Sequence, residues 1–280
     1  MDTAVRVRGL AKRYGDVRAV ADIDLDIRAG EVFAILGPNG AGKSTAVEIM
    51  EGHRTRDAGE VSVLGVDPGR PTRAWRSRIG IVPQTAEDVA ETTVREIVRH
   101  FAGYYPRAKD PDEVIELVGL TEKAGSRIRK LSGGQRRRVD VALGVIGSPE
   151  LLFLDEPTTG FDPEARRRFW GLIEGLARDG TTIVLTTHYL DEAEALADRV
   201  AVVAAGRVVA EGEPSSLGGR ATAKAVVAWS EGGERRFLET DTPTTTVLEL
   251  THRFGGEVPG LTVTRPSLED VYLGLIRSSP

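Results

Sequence analysis

The feature that most restricts this chain is the run Gly37-Pro38-Asn39-Gly40-Ala41-Gly42-Lys43-Ser44-Thr45, which fits G-x-x-x-x-G-K-[ST]. It follows the apolar run VFAIL and precedes TAVEIM, so a strand turns through glycines directly into a helix. Glycines let successive backbone N–H groups curve around a phosphate chain, and the helix N-terminus adds positive potential. Lys43 then reaches the β- and γ-oxygens, and Ser44 is available to Mg2+. A plain glycine-rich turn, the alternative, does not require the flanking strand and helix that are present here.

The segment Leu151-Leu152-Phe153-Leu154-Asp155-Glu156-Pro157 is an apolar strand ending in two adjacent carboxylates. Side chains alternate on a strand, so the pair cannot share one role. Asp155 is positioned to hold the Mg2+ shell, which leaves Glu156 to orient and polarise an attacking water. Alone, these acids read equally well as solvated groups at a turn. Leu131-Ser132-Gly133-Gly134-Gln135 precedes the helical RRRVDVALGVI. Ser132 and Gln135 have capping-box spacing, and the two glycines bare N–H donors at a positive dipole end, which makes a second anion-binding turn. Arg136, Arg137 and Arg138 read as a solvated basic helix face.

Composition excludes several classes. The chain has 280 residues, 40% hydrophobic and 28% charged, enough for one large domain or two modest ones with a real core. Acidic residues exceed basic ones for a net charge of −5, which argues against general nucleic-acid affinity. Zero Cys removes disulfides, thiolate zinc sites, Fe–S clusters and cysteine nucleophiles. The longest stretches without a formal charge, residues 32–42 and 180–190, fall short of the about 20 apolar residues that cross a bilayer. The start, MDTAVRVRGLAKRYGD, has no apolar core of a secretory signal, so a cytoplasmic setting is expected.

Short β-branched runs at residues 5–7, 23–27, 32–36, 61–64 and 79–82 make the first third strand-rich. The uniformly apolar runs 151–154, 183–185 and 200–203 read as strands buried on both faces of a parallel central sheet. Between them, residues 87–146 form a helical block, with Val94, Ile97, Val98 and Phe101 at helical spacing. Composition shifts after Pro214, Gly232 and Gly233 suggest a hairpin turn, and a boundary is expected near 212–220.

Together these motifs resemble the nucleotide-binding subunits of ABC transporters over residues 3–215, LSGGQ being the signature of that family. The resemblance implies an α/β P-loop NTPase with a RecA-like core. An N-terminal antiparallel β subdomain, the helical insertion at 87–146 and a small α/β extension at 216–280 would complete it. It implies ATP and Mg2+, and a second nucleotide-binding subunit docked head to tail. Ser132, Gly133, Gly134 and Gln135 of one chain then close over ATP held by residues 37–45 of the other. Tyr14, in KRYGD, matches the aromatic that stacks on adenine, although a lone Tyr usually reads as packing. Gln84, in IVPQ, matches the glutamine that senses Mg2+ and the attacking water; in isolation it is an ordinary loop residue. Asp162, in TTGFDP, matches an acid that crosses the dimer interface, while N-capping of a helix opened by Pro163 accounts for it equally well. His188, after TIVLTT, matches the histidine that contacts the γ-phosphate; His53, His100 and His252 lack such a setting. The family pattern thus implies catalytic Glu156, His188 and Gln84, and metal contacts from Ser44, Gln84 and Asp155. Phe161 stands where that loop commonly has leucine.

The tail Arg265-Pro266-Ser267-Leu268-Glu269-Asp270-Val271-Tyr272-Leu273 resembles exporter ATPases of the daunorubicin-resistance type, and locally reads as a polar cap before an amphipathic helix. The resemblance implies separate permease subunits that dock on residues 85–105, a place at the cytoplasmic membrane face, and export of a drug, lipid or glycan. A soluble ABC protein acting on nucleic acid or ribosomes usually has two cassettes, a coiled-coil insertion or a basic linker, and no nucleic-acid partner is expected here. A small-molecule P-loop kinase explains the phosphate loop but leaves LSGGQ, Gln84 and His188 unused.

Overall fold

Alternating apolar and polar residues open the chain as a long hairpin in which β1 (Thr3–Tyr14) pairs antiparallel with β2 (Val17–Arg28). The computed structural model describes residues 2–84 and 91–278. After the hairpin, β3 (Val32–Leu36) leaves for a different sheet, and α1 (Lys43–Met50) follows it. β4 (Ala58–Val63) returns to the free edge of β1, giving the antiparallel order β2-β1-β4.

The central sheet takes β5 (Ile79–Val82), which follows the short α2 (Arg73–Arg76). Among the described residues three α-helices then intervene: α3 (Val94–Ala102), α4 (Pro111–Leu117) and α5 (Gly133–Val145). Val94, Ile97 and Val98 are buried as their spacing requires, and Thr93 with Glu96 closes a capping box on α3. The rest of the sheet comes from β6 (Leu151–Asp155), β7 (Thr182–Thr187), β8 (Arg199–Ala204) and β9 (Arg207–Gly212). Between them run α6 (Pro163–Arg178) and α7 (Leu190–Leu196). Strand order is β5-β6-β7-β3-β8-β9, with β5, β6, β7, β3 and β8 parallel. The runs at 32–36 and 79–82, early in the sequence, therefore belong to the parallel sheet and not to the antiparallel one. Every residue of β3 is buried, as expected of a strand covered on both faces. Phe33, Ile35, Phe153 and Val184 join the core beneath α1, each contributing about 1.5–3 kcal/mol of burial before the cost of ordering.

The backbone clusters into two units, Met1–Glu211 and Gly212–Pro280. In the second, β10 (Ala225–Glu231) pairs with β11 (Glu234–Thr240) across Gly232 and Gly233. Both glycines have positive φ, +61° and +82°, which a two-residue hairpin turn of this hand demands. α8 (Pro243–Phe254) lays Leu250 against Val227 and Trp229. β12 (Thr262–Thr264) adds to the other edge of β10, and α9 (Leu268–Ser278) follows. At the head of α9 the Asp270 carboxylate accepts from the Ser267 N–H at 2.8 Å and its hydroxyl at 2.7 Å, the polar cap expected there. Among the described residues no helix is long and apolar enough to cross a membrane.

Candidate active site

The strand–loop–helix from β3 to α1 makes the phosphate loop, and two of its glycines are fixed by what lies beneath them. A Cβ on Gly37 would collide with the Val203 carbonyl oxygen, and one on Gly42, at φ +100°, with that of Ala19. Lys43, first in α1, is 5% exposed, and its Nζ donates to the carbonyls of Gly37 at 2.8 Å and Pro38 at 3.2 Å. Burial pulls its pKa below the ordinary lysine range, against the opposing pull of Glu156 and Asp155. A buried ammonium whose hydrogen bonds go to neutral carbonyls, at the head of a helix, is an electrostatic demand that an anionic ligand meets. The residues present therefore fit a phosphate chain.

The two carboxylates reach this loop from β6. The strand ends at Asp155, and Glu156 turns to φ +43°, a left-handed conformation that costs a side-chain-bearing residue about 1 kcal/mol or more. It is this turn, more than strand alternation, that aims the pair differently. Thr186 of β7 serves both: its hydroxyl donates to Asp155 Oδ1 and accepts from the Glu156 N–H at 3.1 Å. Ser44 Oγ donates to the same Asp155 oxygen at 3.4 Å. Two hard oxygen ligands beside a phosphate loop suit Mg2+, which keeps water and phosphate oxygens in its shell; among the described residues no three acidic or histidine side chains converge on a metal site. The Glu156 side chain is 12% exposed and gripped from three sides. Oε2 accepts from Gln84 Nε2 at 3.1 Å and Thr159 Oγ1 at 3.3 Å, and Oε1 lies 3.3 Å from His188 Nδ1.

At the head of α5, Ser132 Oγ accepts from the Gln135 N–H at 3.3 Å, and Gln135 Oε1 accepts from the Ser132 N–H at 3.0 Å. A Cβ on Gly134 would stand 3.9 Å from the Phe161 ring, which itself meets Phe169 edge-on. Arg137, one turn into α5, is 8% exposed and donates to the carbonyls of Pro83, Asp155 at 2.7 Å and Pro157 at 3.1 Å. One guanidinium thus ties α5 to the ends of β5 and β6.

A family model described as ABC transporter matches residues 20–159, half of the chain. The daunorubicin resistance ATP-binding protein DrrA2 of Streptomyces coeruleorubidus is 38% identical across 97% of this chain and 94% of its own length. The chain belongs to the ABC transporter family. The daunorubicin resistance ATP-binding protein DrrA3 of the same organism is 44% identical to this ABC cassette, across 77% of it and 70% of the relative. Among solved structures, a dimeric post-hydrolysis state of an ATP-binding cassette with ADP and Pi is 25% identical; it covers 75% of this chain and 98% of that one, with a TM-score of 0.68. This cassette is an ATP-binding subunit with ATPase activity, homologous to daunorubicin resistance ATP-binding proteins.

Of the residues singled out in the sequence, the ABC cassette brings Lys43, Ser44, Gln84, Asp155, Glu156 and His188 to one cleft. Gln84 bonds Glu156 and not the Ser44–Asp155 pair. Among the described residues, no hydrogen bond or ion pair joins Ser132, Gly133 or Gly134 to that cleft. Tyr14, at the end of β1, is 41% exposed with Lys12 and Arg54 beside its ring, 5.5 and 5.7 Å from the centroid. Asp162 caps α6, accepting from the Ala165 N–H at 2.8 Å, and backbone hydrogen bonds hold its pKa below the ordinary range. Residues 85–90, the first part of the expected permease surface, lie outside the described residues.

The arginine run corrects the sequence reading. Only its middle member leaves the solvated face: Arg137 is buried, whereas Arg136 is exposed and donates to the Leu131 and Arg129 carbonyls, and Arg138 is half-buried and donates to those of Val118 and Gly119. Sequence reasoning also missed Thr186 and Thr159 as partners of the carboxylates, and Arg137 as a donor to the backbone that carries them. The signal available was a hydroxyl just past the apolar run 183–185 and an arginine at the buried phase of a helix.

Proposed function

We propose that this ABC cassette hydrolyses ATP at an interface between two copies of itself and passes the resulting motion to separate membrane permease subunits that export a substrate. The observation that carries the reading is the Glu156 carboxylate, held by Gln84, Thr159 and His188 next to the Ser44–Asp155 pair and the buried Lys43. In this reading residues 37–45 wrap the β- and γ-phosphates with backbone N–H donors, and the Lys43 ammonium supplies the balancing charge. Ser44 and Asp155 would hold Mg2+, Gln84 would reach it only by turning from Glu156, and the ion when bound would neutralise charge on the phosphate oxygens. Glu156 orients and polarises the attacking water, and His188 contacts the γ-phosphate from the strand beside it. Tyr14 stacks on the adenine, with cations already behind its ring.

The signature turn, with Ser132, Gly133, Gly134 and Gln135, closes over the nucleotide of the partner copy, and Asp162 lies at that interface. Support comes from the exposed helix N-terminus, whose first turn carries no acidic residue, and from the dimeric ADP- and Pi-bound neighbour. Two adjoining hollows of about 360 and 570 Å³, sharing Arg76 and Tyr105, are consistent with a permease helix docking on the insertion at the cytoplasmic membrane face. Likeness to daunorubicin resistance ATP-binding proteins, and to a Nod factor export ATP-binding protein of Rhizobium meliloti, favours export.

The test is Glu156→Gln. Turnover should fall about 10²–10³-fold while ATP binding persists, because the loop and metal contacts survive and water activation does not. Light scattering with ATP should then find a stable dimer. Normal turnover in this variant, or a monomer at saturating ATP, would overturn the reading.

A further inference from the structure

Behind the cleft lies a buried polar knot that the proposed chemistry does not use. Glu192, in the first turn of α7, is fully buried, and so are Thr158, which begins the loop to Asp162, and Thr187, which precedes His188. Neither Glu192 oxygen completes a hydrogen bond, and the same holds for Thr158 Oγ1, Trp170 Nε1 and Arg166 Nε, all enclosed. These groups surround one another. The hydroxyls of Thr187 and Thr158 and the Trp170 indole N–H approach the carboxyl closely enough to favour its charged form, and Arg166 attracts it. Burial outweighs them and raises its pKa above that of an ordinary glutamate.

Arg166 also grips this corner from outside. It pairs with Asp191 at 3.0 Å and lies over the Tyr189 ring at 4.5 Å, so α6 holds the residues on both sides of Leu190. Buried polar atoms left short of partners are costly, so these groups favour positions that complete their bonds. A carboxyl placed between two such loops makes the position of one depend on the other.

We propose that Glu192 is a positioning residue for hydrolysis, a single carboxyl that spans Thr187 beside His188 and Thr158 at the root of the Asp162 loop, so that the two loops hold one register. This rests on the reading above, in which His188 and Asp162 serve the nucleotide. Glu192 touches neither; it acts through its neighbours, and its removal should spoil the rate more than the binding.

The experiment is steady-state ATP hydrolysis with equilibrium ATP titration on the full chain carrying Glu192→Ala, Glu192→Gln or Thr158→Val. Glu192→Ala should lower kcat about ten- to a hundredfold with KM and ATP affinity held within about twofold, as expected when geometry and not binding is lost. Glu192→Gln, which keeps the shape and one acceptor oxygen of the carboxyl, should restore most of that rate. In a His188→Ala background the alanine change should add little. Wild-type kcat in Glu192→Ala, or KM and ATP affinity worsening in step with kcat, would overturn the proposal. If Glu192→Ala does not fold, Thr158→Val decides: reduced kcat at constant KM supports the coupling, and unchanged kcat refutes it. Glu156→Gln measured in parallel separates the two claims. If it traps an ATP-bound dimer while Glu192→Ala is silent, only the positioning role falls; if it fails to trap, the site reading itself falls.

Discussion

The phosphate loop and the signature turn both put glycines at the head of a helix, α1 in one case and α5 in the other, but their charged surroundings differ. The first has a buried lysine folded into it and the two carboxylates of β6 alongside. The second is exposed at Ser132 and Gly133, its side chains are spent on capping the helix, and its nearest aromatic neighbour is Phe161. A helix N-terminus alone offers an anion partial charges and a few donors; a lysine-bearing loop offers a full charge in a low dielectric. In the proposed reading one turn can bind an anion by itself, whereas the other gains a role only when a ligand is brought to it. Arg137 connects the two, since it stands on the helix of the second and holds the backbone that carries the acids of the first.

The sharpest break of this contrast is a pair of variants. Lys43→Ala should weaken ATP binding to the isolated chain by about 4 kcal/mol, about a thousandfold, in an equilibrium titration. Ser132→Arg should leave that titration unchanged yet abolish the ATP-dependent dimer in a Glu156→Gln background, read by light scattering. Equal effects of both on binding to the monomer would erase the distinction between the turns.

Next in size is Arg137→Met. It removes the donor to three backbone carbonyls and leaves Asp140 without the guanidinium 3.7 Å away, so urea unfolding should record a loss of about 3 kcal/mol. A stability loss no larger than that of an exposed arginine would mean that the helix is held by apolar packing alone.

The smallest effect is a pH dependence at the same place. Burial, only partly opposed by Arg137, pushes the Asp140 pKa up to about 6 from the 3.8 of an ordinary aspartate. The folded state therefore binds this proton more tightly than the unfolded state does. Stability contributed here is complete below the unfolded pKa and is lost as pH rises through about 6. Asp140→Asn should stabilise the chain by about 1 kcal/mol at pH 8, and should flatten its denaturation profile between pH 4 and 7 relative to the parent. A profile with the same slope in both proteins would remove Asp140 from the account.

Features written in neighbouring residues were legible in the sequence. The G-x-x-x-x-G-K-S loop, the Ser132–Gln135 box, the Asp162 cap and the Gly232–Gly233 hairpin each complete within a few residues, so spacing and residue type suffice. What escaped is long-range. Arg137 was read as solvated because three arginines in a row look alike, and only the packing of α5 turns the middle one inward. Thr186 lies 31 residues from Asp155 and was a strand residue like any other until β6 and β7 paired. Glu192 sits in LDEAEALAD, where nothing local distinguishes it from Glu194.

The sequence by itself determined that this chain has a nucleotide loop, two acids at a strand end and a second helix head fit for an anion, because each follows from backbone geometry over a handful of residues. Which of its charges are buried was decided only by the tertiary structure, since desolvation depends on how distant segments cover one another. Lys43 and Glu192 owe their perturbed chemistry to that cover, and Arg137 its task of holding the carboxylates in place.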